Sequence, residues 1–429
     1  MFESAIDRRQ LLAGGLGAGI LAALRGCKAA PRPASSKGGL SKLRAGLEQA
    51  VAAGYAPGAL GLVALGPNVE VVTAGKLAFD GEARMQRDTI FRIASMTKAI
   101  TAAAVLMLIE DGKLKLDEPI DRLIPELANR RVLRSIEAAL DDTEPARRSI
   151  TVEDLLTFRC GYGLILAPPG RYPIQKAITA LGIVGFGPPD TAMPFNNDQW
   201  IAKLATLPLL AQPGEAWLYT AGSNIQGVLV ARATGELLSR FCEERIFGPL
   251  GMVDTGFFVP AEKTGRFATA YRFINDKAVA WDPPVKGLWN QPPRFEQGDA
   301  GLASTADDYL AFARMLLAGG RHQGKALLSP SSVKAMTTDH LTPEQRKGGE
   351  QVLSRGRGWG YGMSVVVESS PDQPARGAFG WNGGYGSSWF SDPANGLTAI
   401  LLTQHEFSSG ILDPVHRRFQ ADAYRAQLA

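Results

Sequence analysis

Strand-forming segments lie at both ends of this 429-residue chain, and helix-forming segments lie between them. Residues 59–65 and 69–74 are short strand-like runs separated by Gly66-Pro67-Asn68, a hairpin signal. Residues 89–94 form a third strand candidate, and residues 360–367, 388–391 and 397–403 form three more near the C-terminus. A sheet assembled from both termini has to be interrupted by whatever the middle of the chain folds into. The expected class is therefore α/β plus all-α, with an α/β domain from residues 37–112 and 300–429 and a mainly helical insertion over 113–299. Within that insertion, residues 161–197 are rich in Gly and Pro without clear periodicity and read as a lid-like loop.

The helical segments have their own signatures. Leu40, Leu43, Leu47 and Val51 recur at helical spacing. Residues 96–109 are almost wholly Ala, Leu, Met, Ile and Thr, too long for a strand, and stop at Asp111-Gly112; they read as a buried helix with a glycine stop. Thr151 precedes Glu153-Asp154 as a helix start, and Thr305 caps a helix predicted to run to about Leu317. Further helices are predicted over 221–234, 237–246 and 415–427.

The first 36 residues read as targeting sequence. Asp7-Arg8-Arg9-Gln10-Leu11-Leu12 resembles a twin-arginine export signal, an apolar run follows to Leu24, and residues 31–36 form a spacer. That run has the length of a signal core and is too short to span a bilayer comfortably. Leu24-Arg25-Gly26-Cys27 loosely resembles a lipoprotein box, so a lipid anchor at Cys27 is a weaker expectation than simple export to the periplasm. Arg8, Arg9, Arg25, Lys28 and Arg32 against Glu3 and Asp7 place most of the formal charge of +4 in this segment. The nearly neutral remainder has no electrostatic footprint for nucleic acid or an anionic membrane. Cys160 and Cys242 show no metal or redox spacing and are expected as free thiols, and no metal or organic cofactor is implied.

One segment concentrates chemical potential. Where residues 91–98 pass from the strand candidate into the buried helix, Ser95 and Lys98 lie three apart and so on one face of a helical turn. A serine hydroxyl is a weak nucleophile until a base stands beside it, and a lysine withdrawn from water is such a base. The helix N-terminus favours the negative charge that develops during attack. A second copy, Ser331 to Lys334, follows Ser329-Pro330 and reads as an ordinary capped surface helix. No Gly-x-Ser-x-Gly elbow occurs, and the four histidines show no ligand spacing.

Phe91-Arg92-Ile93-Ala94-Ser95-Met96-Thr97-Lys98 resembles the nucleophile motif of class C β-lactamases, D,D-peptidases and family VIII esterases. The likeness continues in order through Leu155-Leu156-Thr157, the turn from Pro213 to Thr220, the block from Gly301 to Asp308, and Gly380-Trp381-Asn382-Gly383-Gly384. It implies a penicillin-recognising fold, an antiparallel sheet flanked by helices. It also implies that Tyr219 shares proton transfer with Lys98, and that the backbone N–H groups of Ser95 and Gly384 form an oxyanion hole. Trp381, Asn382 and Gly383 would then edge the substrate cleft.

Two departures shift the expected substrate. Ala221 stands where the β-lactamase pattern has an asparagine, and Trp381 where it has lysine or histidine. Those polar groups bind β-lactam amide and carboxylate, so their loss favours a small uncharged ester and a carboxylesterase of the family VIII type, with weak β-lactam hydrolysis at most. The competing readings are a D,D-peptidase or β-lactamase, and a non-catalytic binding protein on the same fold.

Overall fold

The computed structural model describes residues 37–183, 193–275, 277–347, 349–370, 374–407 and 412–428. The leader-like segment 1–36 lies outside the described residues, and with it Cys27 and the export reading; so do residues 184–192 of the expected lid.

The centre is a seven-stranded antiparallel sheet built from both ends of the chain. Its strands are β1 (Gly58–Leu65), β2 (Asn68–Gly75), β3 (Arg357–Trp359), β4 (Ser364–Val366), β5 (Phe379–Gly383), β6 (Ser387–Asp392) and β7 (Leu397–Thr403), in the order β3-β4-β5-β6-β7-β1-β2. β1 bridges the two ends, pairing Leu62 with Ile400 on one side and with Val71 on the other. Every residue of β1 is buried because both sheet faces are covered, which explains a run that is apolar throughout. On one face, α1 (Lys37–Ala52) and the C-terminal helix α4 (Pro414–Leu428) pack Leu43, Leu47, Phe419 and Ala423 against Val63, Val72 and Leu401. On the other face, Leu60, Leu62, Trp389 and Leu402 meet the helix Ala306–Leu317 and α2 (Thr97–Glu110).

α2 is the axis of the larger core. Its residues from Thr97 to Leu108 are all buried, and each fully buried Leu, Ile, Val or Met contributes roughly 1.5–3 kcal/mol. It packs across α3 (Ala221–Thr234), a helix of the middle region. No helix among the described residues is long and apolar enough to cross a membrane.

The structure departs from the sequence expectations in three places. The third strand candidate shrinks to Phe91–Arg92, paired with Ala303–Ser304 outside the main sheet, because Ala94 enters the left-handed region (φ 44°) and turns the chain into α2. Residues 360–367 are a hairpin bend followed by β4 and not one strand. Gly362, at φ 76°, lies so close to α2 that an added Cβ would sit 2.5 Å from the Lys98 carbonyl. The expected lid also contains a regular helix, Pro173–Leu181. Pro173 opens it, Gln175 accepts from the Tyr172 N–H, and Gly182 closes it in the left-handed conformation (φ 66°). Nine residues between prolines and glycines are too few to raise a periodic signal.

A buried ion pair ties the nucleophile segment to the middle of the chain. Arg92 and Asp282 are both almost wholly buried, and the guanidinium also donates to the carbonyls of Ala268 and Asp282 and stacks 3.8 Å above Phe267. Burial pulls the Arg92 pKa down to about 10, against the opposing pull of Asp282. Arg92→Leu leaves the Asp282 carboxylate buried without its cation and is expected to cost about 3–5 kcal/mol of stability. Urea unfolding followed by circular dichroism measures this, and an unmoved midpoint would remove the pair from any structural role.

Candidate active site

Ser95 is placed by two constraints that precede it. Ala94 holds a left-handed conformation that costs of order 1–3 kcal/mol for a residue with a side chain. Together with Ser95 and Met96 it forms one 3-10 turn, Ala94–Met96, before α2 begins at Thr97. Ser95 is therefore half-exposed on a sharp corner while its neighbours are buried. The spacing of three survives this change of helix type. Lys98, wholly buried, donates from Nζ to Ser95 Oγ at 2.9 Å and to the Asp299 carbonyl at 2.7 Å.

Tyr219 arrives from a different part of the chain. Its carbonyl accepts from the Leu164 N–H at 2.8 Å, and the preceding Leu218 N–H donates to the Phe158 carbonyl at 2.8 Å. Thr220, directly before α3, adopts φ 94°. The Tyr219 ring is boxed by Phe158, Trp217, Trp359 and Trp381, with centroid separations from 5.6 to 6.3 Å. Lys98 Nζ lies 4.7 Å from the Tyr219 ring centroid, so the two groups share one small space beside Ser95.

The strand β5 borders this space. Trp381 is buried and donates from Nε1 to Tyr219 Oη at 2.7 Å, so the indole is bound to the phenol and not a free rim aromatic. Asn382 is half-buried, and Gly383 is forced by crowding, since a Cβ there would meet the Ile93 carbonyl at 2.3 Å. Ser387 Oγ donates to that same carbonyl at 2.9 Å, which fastens the β5–β6 turn to the segment just before Ser95. Gly384 lies in this turn and faces open space. The structure thus brings Ser95, Lys98, Tyr219, Trp381 and the turn of Gly383-Gly384 together.

Other sequence candidates fall elsewhere. The Ser331–Lys334 pair lies on the capped helix Pro330–Met336, with Ser331 bonded to Ser329 and Lys334 exposed. Among the histidines, the His405 ring is committed to the Tyr55 carbonyl and stacked between Tyr55 and Phe273. Asn224, on the first turn of α3, is buried and uses Oδ1 to accept from the Asp299 N–H at 3.2 Å. Asp299 itself went unnoticed in the sequence. It sits among small residues with no local pattern, and only the tertiary structure shows that it touches Lys98, Asn224 and Thr220.

Beside the site, Tyr162, Ile174, Trp200, Leu204, Leu210 and Ala221 line a mostly apolar recess. A larger groove of about 640 Å³ around Met252, Phe257 and Phe258 contains none of the residues named above for the site.

Comparison with known proteins identifies relatives of this chain. A family model described as Beta-lactamase matches residues 43–422. An uncharacterized protein of Mycobacterium tuberculosis is 42% identical over 79% of this chain and 82% of its own length. Esterase EstB of Burkholderia gladioli is 31% identical over 87% of this chain and 92% of its own. Among solved structures, EstCE1, described as a hydrolase with promiscuous acyltransferase activity, shares the fold with a TM-score of 0.73 at 24% identity, covering 91% of this chain and 98% of that one.

Proposed function

Because this chain belongs to the Beta-lactamase family and is a serine hydrolase of that family, we propose that it is a carboxylesterase cleaving small uncharged esters through an acyl-enzyme on Ser95. Ser95 Oγ attacks the ester carbonyl and its proton passes to the Lys98–Tyr219 pair. The tetrahedral oxyanion takes the backbone N–H groups of Ser95 and Gly384. Collapse expels the alcohol, which receives a proton from the same pair, and water then releases the acid by the reverse sequence. Trp381 holds the phenol oxygen from one side, so the hydroxyl proton is directed elsewhere.

The observation that carries the ester reading is the Trp381–Tyr219 bond at 2.7 Å. Where the β-lactamase pattern has a cation or imidazole to hold the carboxylate of a drug, this chain has an indole turned onto the phenol. Ala221 likewise offers no amide, and the recess beside it is mostly apolar, with Asn224 among the side chains that line it. EstB, related along most of its length, bears the name of an esterase. A binding protein without catalysis has no need of the Lys98–Ser95 contact.

The test is parallel assay of the purified protein with p-nitrophenyl butyrate and a chromogenic cephalosporin. The expected kcat/KM favours the ester by about 100-fold, the scale on which a site without polar partners rejects a substrate whose polar groups it leaves unpaired. A preference for the cephalosporin would replace this reading with that of a β-lactamase or D,D-peptidase. Inertness to both substrates and to a serine-directed fluorophosphonate would support a binding protein.

A further inference from the structure

Asp299 meets three parts of the site at once. Its carbonyl accepts from Lys98 Nζ at 2.7 Å, its N–H donates to Asn224 Oδ1 at 3.2 Å, and its carboxylate Oδ2 accepts from Thr220 Oγ1 at 2.8 Å. The residue is 6% exposed, and its second carboxylate oxygen, Oδ1, is buried and meets no donor among the described residues. A buried carboxylate with an unused oxygen costs stability, and a chain selected for stability alone would carry an apolar or fully paired residue there. The group it holds is also under tension. Thr220 occupies φ 94°, a region that side-chain-bearing residues avoid, and it directly follows Tyr219.

The charge of Asp299 is also felt at the β5–β6 turn: the Tyr385 hydroxyl, next to Gly384, is pushed well above its ordinary value, by burial first and then by the charges of Asp299 and Glu406.

We infer that Asp299 is a positioning residue that anchors Lys98 and the strained Tyr219–Thr220 turn to a single point, so that the amine and the phenol reach Ser95 in a fixed mutual geometry. The inference rests on the esterase reading above. Its logic is geometric: Lys98 belongs to α2 and Tyr219 to the loop before α3, and Asp299 is the residue that bonds both the Lys98 amine and the residue next to Tyr219. A misplacement of about 1 Å at reacting groups costs roughly 100-fold in rate. Asp299 links the two through hydrogen bonds, one from its main chain and one from its side chain, and the residue itself does not contact substrate.

Four full-length variants test this: Thr220→Val, Thr220→Ser, Asp299→Ala and the double Asp299→Ala/Thr220→Val. Thr220→Val keeps the shape and removes the hydroxyl; it is expected to lower kcat for p-nitrophenyl butyrate by about 10- to 100-fold with KM within about twofold. Thr220→Ser keeps the hydroxyl and recovers most of that loss. The double variant loses no more than Asp299→Ala alone, because both changes break the same bond. A folded Thr220→Val protein at parent kcat, a Thr220→Ser protein as impaired as Thr220→Val, or losses that multiply would each overturn the inference. Should Asp299→Ala not fold, the Thr220 pair decides alone. Fluorophosphonate labelling of Ser95 in the parent separates the two levels. An unlabelled parent sinks the esterase reading and this inference with it, whereas a labelled parent with an unaffected Thr220→Val variant sinks the inference only.

Discussion

Ser95→Ala is expected to reduce ester turnover by at least about 10⁴-fold while the protein remains folded, because removing an activated nucleophile leaves only binding and oxyanion contacts. The structure makes this a clean experiment. Ser95 is half-exposed, so losing one oxygen opens no core cavity, and Lys98 retains its bond to the Asp299 carbonyl at 2.7 Å. Initial rates with p-nitrophenyl butyrate give the kinetic answer, and intact-mass spectrometry after a rapid quench asks whether the acyl adduct disappears. Turnover near the parent rate would show that another residue attacks the ester and would undo the assignment.

Tyr219→Phe is expected to lower kcat by about 10²–10⁴-fold, the usual range for removing a positioned proton-transfer group, with a much smaller change in KM. The ring keeps its box of Phe158, Trp217, Trp359 and Trp381, so only the hydroxyl is lost. The change also leaves Trp381 Nε1 without its acceptor, at a cost of roughly 1–3 kcal/mol in stability. Trp381→Phe therefore belongs beside it as a control. It removes the indole donor and spares the phenol, and is expected to lower kcat far less than Tyr219→Phe. If the two variants lose activity equally, the phenol contributes through its bond to Trp381 and does not transfer protons itself.

The parts of the site that were legible in the sequence are those carried by local spacing or a contiguous block. Ser95 and Lys98 lie three residues apart, and any helical turn, 3-10 or α, places them on one side. The segment containing Trp381 and Gly384 was recognisable as a short block. What could not be read there was the direction of the indole, because one strand offers two faces and only the partner across the space chooses between them. The helix Pro173–Leu181 was missed for a related reason: its stabilising contacts, with Ile174 buried in the main core, come from outside its own nine residues.

Local order and pattern in the chain were enough to determine that a sheet forms from both termini, that α2 is buried, and that a serine and a lysine meet where α2 begins. Each of those follows from interactions between residues a few positions apart or from hydrophobicity averaged over one element. The family resemblance named Tyr219 and Trp381 for the site, but only the tertiary structure decided how these distant groups meet, and it alone added Asp299. Tyr219 lies 124 positions after Ser95, Asp299 lies 201 after Lys98, and Trp381 lies 162 after Tyr219. At such separations a hydrogen bond depends on how whole elements pack, and packing is a property of the assembled core that no single segment encodes.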